Sequence, residues 1–199
     1  LSSGHFATDN MILRFSRLGR TYKPAVRLEG VGQIVAGNEI AYGDHMAILI
    51  HGNEHRIERN EIHHVVRDTS DAGAIYMGRD WTARGTQIKN NFLHDIRGAG
   101  EFDVRGVYLD DMASGIEVKG NVFLRVSQAV FIGGGHRNSV LGHVFVASDP
   151  AVSLDARGMS WMAPAISDPS SAIRKSYAAM PVHSSVWRLH YPDLGAILD

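Results

Sequence analysis

The chain has no cysteine among its 199 residues. That excludes a disulfide framework and thiolate metal ligation, and it leaves the cellular compartment unset by redox chemistry. Neither sign of charge dominates: 20 Lys and Arg stand against 21 Asp and Glu, for a formal net charge of -1. Without a large field of one sign there is no electrostatic footing for nucleic acid or an anionic membrane surface, so neutral partners are expected. No apolar run approaches the roughly 18 residues of a membrane-spanning helix, and no charged-then-apolar leader opens the chain. It begins with Leu1 rather than Met, as a trimmed export signal or a piece of a longer protein would.

What is present is a repeat. The stretch "VAGNEI" (35 to 40), an Asn with apolar residues three before and two after it, recurs as "IERNEI", "IKNNFL" and "VKGNVF". The anchors are Asn38, Asn60, Asn91 and Asn121, with degenerate copies expected at Ser16 and His143; successive spacings are 22, 22, 31, 30 and 22. The apolar partners are Leu13, Val35, Ile57, Ile88, Val118 and Val140 before, and Leu18, Ile40, Ile62, Leu93, Phe123 and Phe145 after. A further short strand follows each anchor: "AVRL", "AILI", "AIYM", "GVYL", "AVFI" and "AVSL".

Three short strands in about 22 residues, with no helical period between them, describe one coil of a parallel β-helix. The fold class expected is therefore all-β: a right-handed parallel β-helix of about six to seven coils with an Asn ladder. An Asn amide at each tight bend satisfies backbone groups of its own coil and bonds to the Asn above and below. Residues 1–158 form this unit. Residues 159–199 break the pattern and read as a tail of short helices and loop, folded over the stack or its open end, where it would cover exposed strand edges.

The spacings of 31 and 30 mark two coils that carry eight or nine extra residues each. These insertions flank two consecutive strands, "AIYM" and "GVYL", and loops on a rigid scaffold are where binding and chemistry concentrate. The outward residues of that sheet are Arg27, Leu49, Tyr76, Tyr108, Phe131 and Ser153. Tyr76, Tyr108 and Phe131 are expected to form a platform for the flat faces of sugar rings, or to pack under the tail. Asp44, Asp71 and Asp103 fall in one register, with Asp110 and Asp111 beyond the strand. Neighbouring carboxylates that repel one another raise at least one pKa, which suits a proton donor near neutral pH.

Arg79, Trp81, Arg84, Arg105 and Lys89 are placed on the groove walls. His63 and His94 stand in equivalent positions on adjacent coils, a polar column touching substrate. Two histidines in register fall short of the three or four ligands a metal needs, so no metal is assigned. "GGGH" (133 to 136) precedes no strand-to-helix unit and gives no phosphate cradle.

The stretches "DAGAIYMGRDWTARGTQIKNNFLHDI", "GVYLDDMASGIEVKGNVF" and "AVFIGGGHRNSVLGHVFVAS", with "VWRLHYPDLGAIL", resemble right-handed parallel β-helix proteins of the pectate-lyase-like superfamily. Within it they resemble the C-terminal coils of glycoside hydrolase family 141 and its unassigned bacterial relatives. The resemblance implies a secreted or periplasmic carbohydrate-active enzyme without a cofactor, acting on a poly- or oligosaccharide. Fucosidase and xylanase activities occur among the family's members. It also implies catalytic acids at Asp71, Asp110 and Asp111, one as general acid and one as base or nucleophile; Asp103 is added from register alone.

Three functions are carried forward. The first is glycoside hydrolysis by a pair drawn from Asp71, Asp103 and Asp110. The second is a uronate lyase or epimerase, with Arg79, Arg84, Arg105 or Lys89 neutralising the substrate and calcium held among Asp44, Asp71 and Asp103. The third is a noncatalytic carbohydrate-binding or truncated β-helix. A homo-oligomer through the open end of the stack is compatible with any of them.

Overall fold

A computed structural model describes residues 2–98 and 103–198. The part of the second insertion formed by residues 99–102 lies outside the described residues.

Eighteen strands make three parallel sheets of six. The first sheet takes Phe6–Thr8, Ile34–Ala36, Arg56–Glu58, Thr86–Lys89, Ile116–Lys119 and Ser139–Leu141. The second takes Met11–Leu13, Glu39–Ala41, Glu61–His63, Phe92–Ile96, Val122–Val126 and Val144–Val146. The third takes Val26–Leu28, Ile48–Ile50, Ala72–Gly78, Val104–Asp110, Gln128–Gly133 and Val152–Asp155. One strand from each sheet makes a coil, and six coils stack. Each strand pairs with the equivalent strand of the next coil, so one residue type repeated at one position becomes a column. Val35, Ile57, Ile88 and Val118 form one inward column, and Ile40, Ile62, Leu93 and Phe123 a second. Ile48, Ile75, Val107 and Val130 form a third, and all twelve are fully buried.

The bend from the first sheet to the second takes two residues. The first has a left-handed backbone: Asp9, Gly37, Arg59, Asn90, Gly120 and Gly142 have φ between 53° and 67°. An L-residue there costs about 1–2 kcal/mol, and the next residue offsets it. Asn60 Oδ1 accepts from Asn38 N at 3.0 Å and Asn38 Nδ2 at 2.9 Å, while its own Nδ2 donates to Val35 O and to Asn91 Oδ1. Asn91 and Asn121 repeat the arrangement. His143 closes it: Nδ1 accepts from Asn121 N at 3.0 Å, which leaves Nε2–H to donate to Val118 O at 3.1 Å.

The first coil departs from the expected register. Its ladder residue is Asn10, whose N and Nδ2 both donate to Asn38 Oδ1 at 2.9 Å, and not Ser16. Its inward residues are Ala7 and Ile12, paired with Val35 and Ile40, rather than Leu13 and Leu18, both exposed. The insertion between Leu13 and Val26 displaces the anchor, so the first coil spans 28 residues instead of 22.

The tail contains helices Ala163–Ser167, Ala172–Ala179 and Ser185–His190. Ser171 caps the second by accepting from Arg174 N, and Ser184 caps the third by accepting from Trp187 N. "YPDLGAIL" forms only a 3-10 turn, Leu194–Ala196. Met162, Ile173, Tyr177, Val182 and Leu194 bury themselves against Trp81 and Met112 of the coils, and Tyr191 Oη donates to Glu54 Oε1 at 2.6 Å. The tail therefore runs back along the side of the stack as a strap and does not seal its end. Leu141, Val144, Val146, Val152 and Leu154 of the last coil stay exposed. Among the described residues no helix is long and apolar enough to cross a membrane.

Candidate functional site

The insertions act on the third sheet. In the two coils that carry them the strand grows to seven residues, Ala72–Gly78 and Val104–Asp110, against three in the two coils before. The outward register matches expectation: Arg27, Leu49, Tyr76, Tyr108, Phe131 and Ser153 follow one another across the sheet.

The aromatics do not form an open platform. Tyr76 and Tyr108, and Tyr108 and Phe131, meet edge to face with centroids 5.3 Å apart. The Arg105 guanidinium lies over Tyr108 at 4.2 Å and over Phe131 at 4.8 Å, and Arg157 adds a second cation over Phe131 at 5.2 Å. The faces expected to receive sugar rings already receive guanidinium groups.

The acids divide into two sets. Asp71 and Asp103 immediately precede the two long strands, whose first residues Ala72 and Val104 pair directly. Both have left-handed backbones, φ 50° and 45°, a strain that Asp tolerates and that gathers at functional sites. Their side chains are 71% and 53% exposed. One buried guanidinium serves both: Arg105 Nη1 donates to Asp71 Oδ1 at 3.3 Å, Nη2 to Asp103, and Nε to Gln128 at 2.9 Å. Tyr108 Oη also donates to Asp71 Oδ1, at 3.0 Å.

Asp110 and Asp111 are buried. Arg157 Nη1 donates to an oxygen of each at 2.7 Å, and its Nε and Nη2 hold Asp155. Burial alone would pull the Arg157 guanidinium down, but its bonds to Asp155 and Asp111 outweigh that and raise it. Arg79 Nε donates to Asp111 Oδ2 at 2.8 Å, and Tyr76 Oη to Asp110 Oδ2 at 2.9 Å. Burial first, then the Asp110 carboxylate, push the Tyr76 and Tyr108 phenols well above their usual range, so both remain proton-bearing donors. A column of mutually repelling carboxylates is not what forms, because guanidinium groups interleave with the acids.

Several expected groove residues lie elsewhere. Asp44 joins Arg67 at 2.6 Å, with its carbonyl accepting from Asp68 N, so the proposed column of Asp44, Asp71 and Asp103 for calcium does not assemble. Trp81 is buried beneath the tail and lines a separate cleft of about 580 Å³ with Met112, Gly134 and Ile166; Arg84 is buried with Nη1 on the carbonyls of Trp81 and Ala83. Lys89 belongs to the first sheet, beside Glu58. His63 and His94 belong to the second sheet, a face away from Asp71. They do stack, with centroids 4.6 Å apart and planes 13° from parallel.

Two clefts of equal volume lie in this region, one on the third sheet and one on the loops that lead from the second sheet into it. One of about 720 Å³ is bounded by Tyr22, Arg27, Leu49, Tyr76, Arg79 and Met180, which places the tail and the first-coil insertion on its walls. The other, also about 720 Å³, is lined by Arg14, Arg17, Arg20, Tyr42, Asp44, Arg67 and Asp68. Arg20 pairs with Asp68 and Arg67 with Asp44. Arg14 and Arg17 have no carboxylate partner among the described residues. Sequence reading missed Arg157 and this cleft; the crowding of Arg14, Arg17, Arg20 and Lys23 within ten residues was the available signal.

Residues 5–158 match the family model described as "Right handed beta helix region". That match covers all six coils and carries no finer assignment to glycoside hydrolase family 141. Neither the curated proteins nor the solved structures yield a match.

Proposed function

Since the chain belongs to the right-handed β-helix family, whose stacked sheets offer a long face to an extended ligand, we propose that it is a carbohydrate-active protein that hydrolyses a glycosidic bond at Asp71 and Asp103. The observation that carries this reading is the pairing of two open carboxylates on adjacent coils, oriented by the single guanidinium of Arg105. Adjacent strands lie about 4.8 Å apart, close to the roughly 5–5.5 Å between carboxyls of a retaining glycosidase. One of the two protonates the leaving oxygen and the other attacks the anomeric carbon. Tyr108, which donates to Asp71, holds that carboxylate in place. Asp110, Asp111 and Arg157 form the support behind Tyr76 and touch no substrate. A secreted or periplasmic setting goes with such a substrate.

One observation favours a second reading. Arg14 and Arg17 leave uncompensated positive charge in a cleft next to the 66–71 loop, which suits an acidic sugar and hence a uronate lyase. The test is to incubate the full chain with neutral and acidic polysaccharides and follow reducing ends together with the ultraviolet absorbance of unsaturated products. Reducing ends alone support hydrolysis. Both signals together move the assignment to elimination, and silence on every substrate leaves a binding protein.

A further inference from the structure

The second sheet carries a cluster that the carbohydrate reading does not use. Its outward positions hold Glu39 on one coil, Glu61 and His63 on the next, and His94 on the third, in direct register. One ligand atom from each of Glu61, His63 and His94 lies within 4.8 Å of the others. His94 Nε2 is 3.0 Å from Glu61 Oε1, and His63 Nε2 is 3.4 Å from Glu39 Oε1. A tetrahedral ion with bonds of about 2.0–2.1 Å has ligand atoms about 3.3 Å apart.

Hydrogen-bond arithmetic shows why these distances matter. His94 Nδ1 is 2.8 Å from Asp95 Oδ2, and a carboxylate only accepts, so the ring carries its proton there. Asp95 is itself fixed by Arg125, whose Nε and Nη2 reach its two oxygens at 2.6 and 2.7 Å. In a neutral ring Nε2 then presents a lone pair to Glu61 Oε1, also an acceptor. His63 has no such conflict, because with His64 Nδ1–H donating to His63 Nδ1 at 2.8 Å its own Nε2–H donates to Glu39 Oε1 at 3.4 Å; the unmet acceptor pair is His94 Nε2 and Glu61 Oε1. The His63 ring stacks on the His94 ring with centroids 4.6 Å apart, which brings a second imidazole beside that pair. A divalent cation there takes the His94 Nε2 lone pair and a Glu61 oxygen, and His63, in its Nδ1–H tautomer, supplies the third donor.

We propose that Glu61, His63 and His94 form a binding site for a divalent transition ion of the zinc type. Imidazole and carboxylate donors without sulfur suit that class of ion. Asp95 is the positioning residue: a carboxylate that accepts from the distal nitrogen of a ligating histidine fixes its tautomer and orientation. Because the ligands come from two adjacent coils, the bound ion staples those coils together on a different sheet from the strand that follows Asp71.

The test uses the full chain stripped with a chelator and dialysed. Zinc is titrated calorimetrically, and cobalt is added separately to read the ligand-field bands of a four-coordinate ion. The proposal expects about one equivalent bound, a rise in melting temperature with zinc, and affinity lowered about tenfold or more in Asp95→Asn. His94→Gln and His63→Ala should abolish the cobalt bands, while His190→Ala, on the exposed tail, should not. His94 is the more accessible of the pair, so His94→Gln remains informative if His63→Ala fails to fold. Absence of binding to the folded wild-type chain overturns the proposal, as does binding unaltered in His94→Gln.

Discussion

Arg157 Nη1 lies 2.7 Å from Asp110 Oδ1 across 47 positions of sequence, and the same nitrogen reaches Asp111 at 2.7 Å. The contact ties the first residues after the last coil to the coil two before it. Both acids are buried; Asp111 also holds Arg79, whereas Arg157 is the one ion-pair partner of Asp110 among the described residues. Arg157→Met is expected to destabilise the chain by about 3–5 kcal/mol, the cost of leaving the buried Asp110 carboxylate without its cation. Urea unfolding of the two proteins measures it, and a change within about 0.5 kcal/mol would show that solvent reaches the acids.

The amide ladder supplies a second expectation. Asn60 is buried and makes bonds to two neighbouring coils. Asn60→Ala leaves the Asn38 N–H without its acceptor and removes the side-chain donor to Val35 O, at about 1–3 kcal/mol for the unsatisfied buried group. Asn60→Asp keeps the acceptor but sets a carboxylate oxygen against two acceptors, Val35 O and Asn91 Oδ1, in a buried position, so thermal melts near neutral pH should place it no higher than Asn60→Ala.

His143 makes the last rung sensitive to acid. Burial lowers its pKa below the usual 6.5, with the backbone bonds to Asn121 and Val118 opposing, because the neutral ring must accept at Nδ1. The folded state thus binds fewer protons than the unfolded state, and stability rises with pH. The rung's contribution is present above about 6.5 and is lost as pH falls through the depressed folded value. In His143→Asn this term should vanish, so the melting temperatures of variant and wild type should diverge, in favour of the variant, as the solution is acidified below pH 6.5.

Gly78 tests the packing behind the site. It pairs with Asp110, and a Cβ there would stand 2.7 Å from Tyr76 Oη. Gly78→Ala should displace the Tyr76 hydroxyl from Asp110 and cost about 1–3 kcal/mol. If that mechanism holds, adding Tyr76→Phe costs less than it does alone, and the double-mutant cycle reports the coupling.

The coil stack was legible because one coil repeats: Asn38, Asn60, Asn91 and Asn121 and their inward partners occupy the same columns in sequence and in space. The first coil was misread because an insertion inside it looks like a repeat, and "LRFSRL" offers apolar residues at the right offsets while the true anchor is Asn10. Trp81 and Arg84 were assigned to a groove that the tail in fact covers. That contact joins residues about a hundred positions apart and has no local signature. The stacking of His63 on His94 followed from equal offsets after their anchors. The part taken by Glu61 required knowing that the outward face of the strand presents Glu61 and His63, two residues apart, together.

The most direct measurement of the central claim is the rate of reducing-end release by Asp71→Asn, Asp103→Asn and Asp110→Asn, each compared with the wild type on a substrate that the wild type cleaves. The account predicts losses of about a hundredfold or more for Asp71→Asn and Asp103→Asn, the range of positioned acid–base groups. Asp110→Asn, a change behind the site, should retain most activity at a lower melting temperature. Full activity in either of the first two variants, with the chain folded, would contradict the assignment of the carboxyl pair.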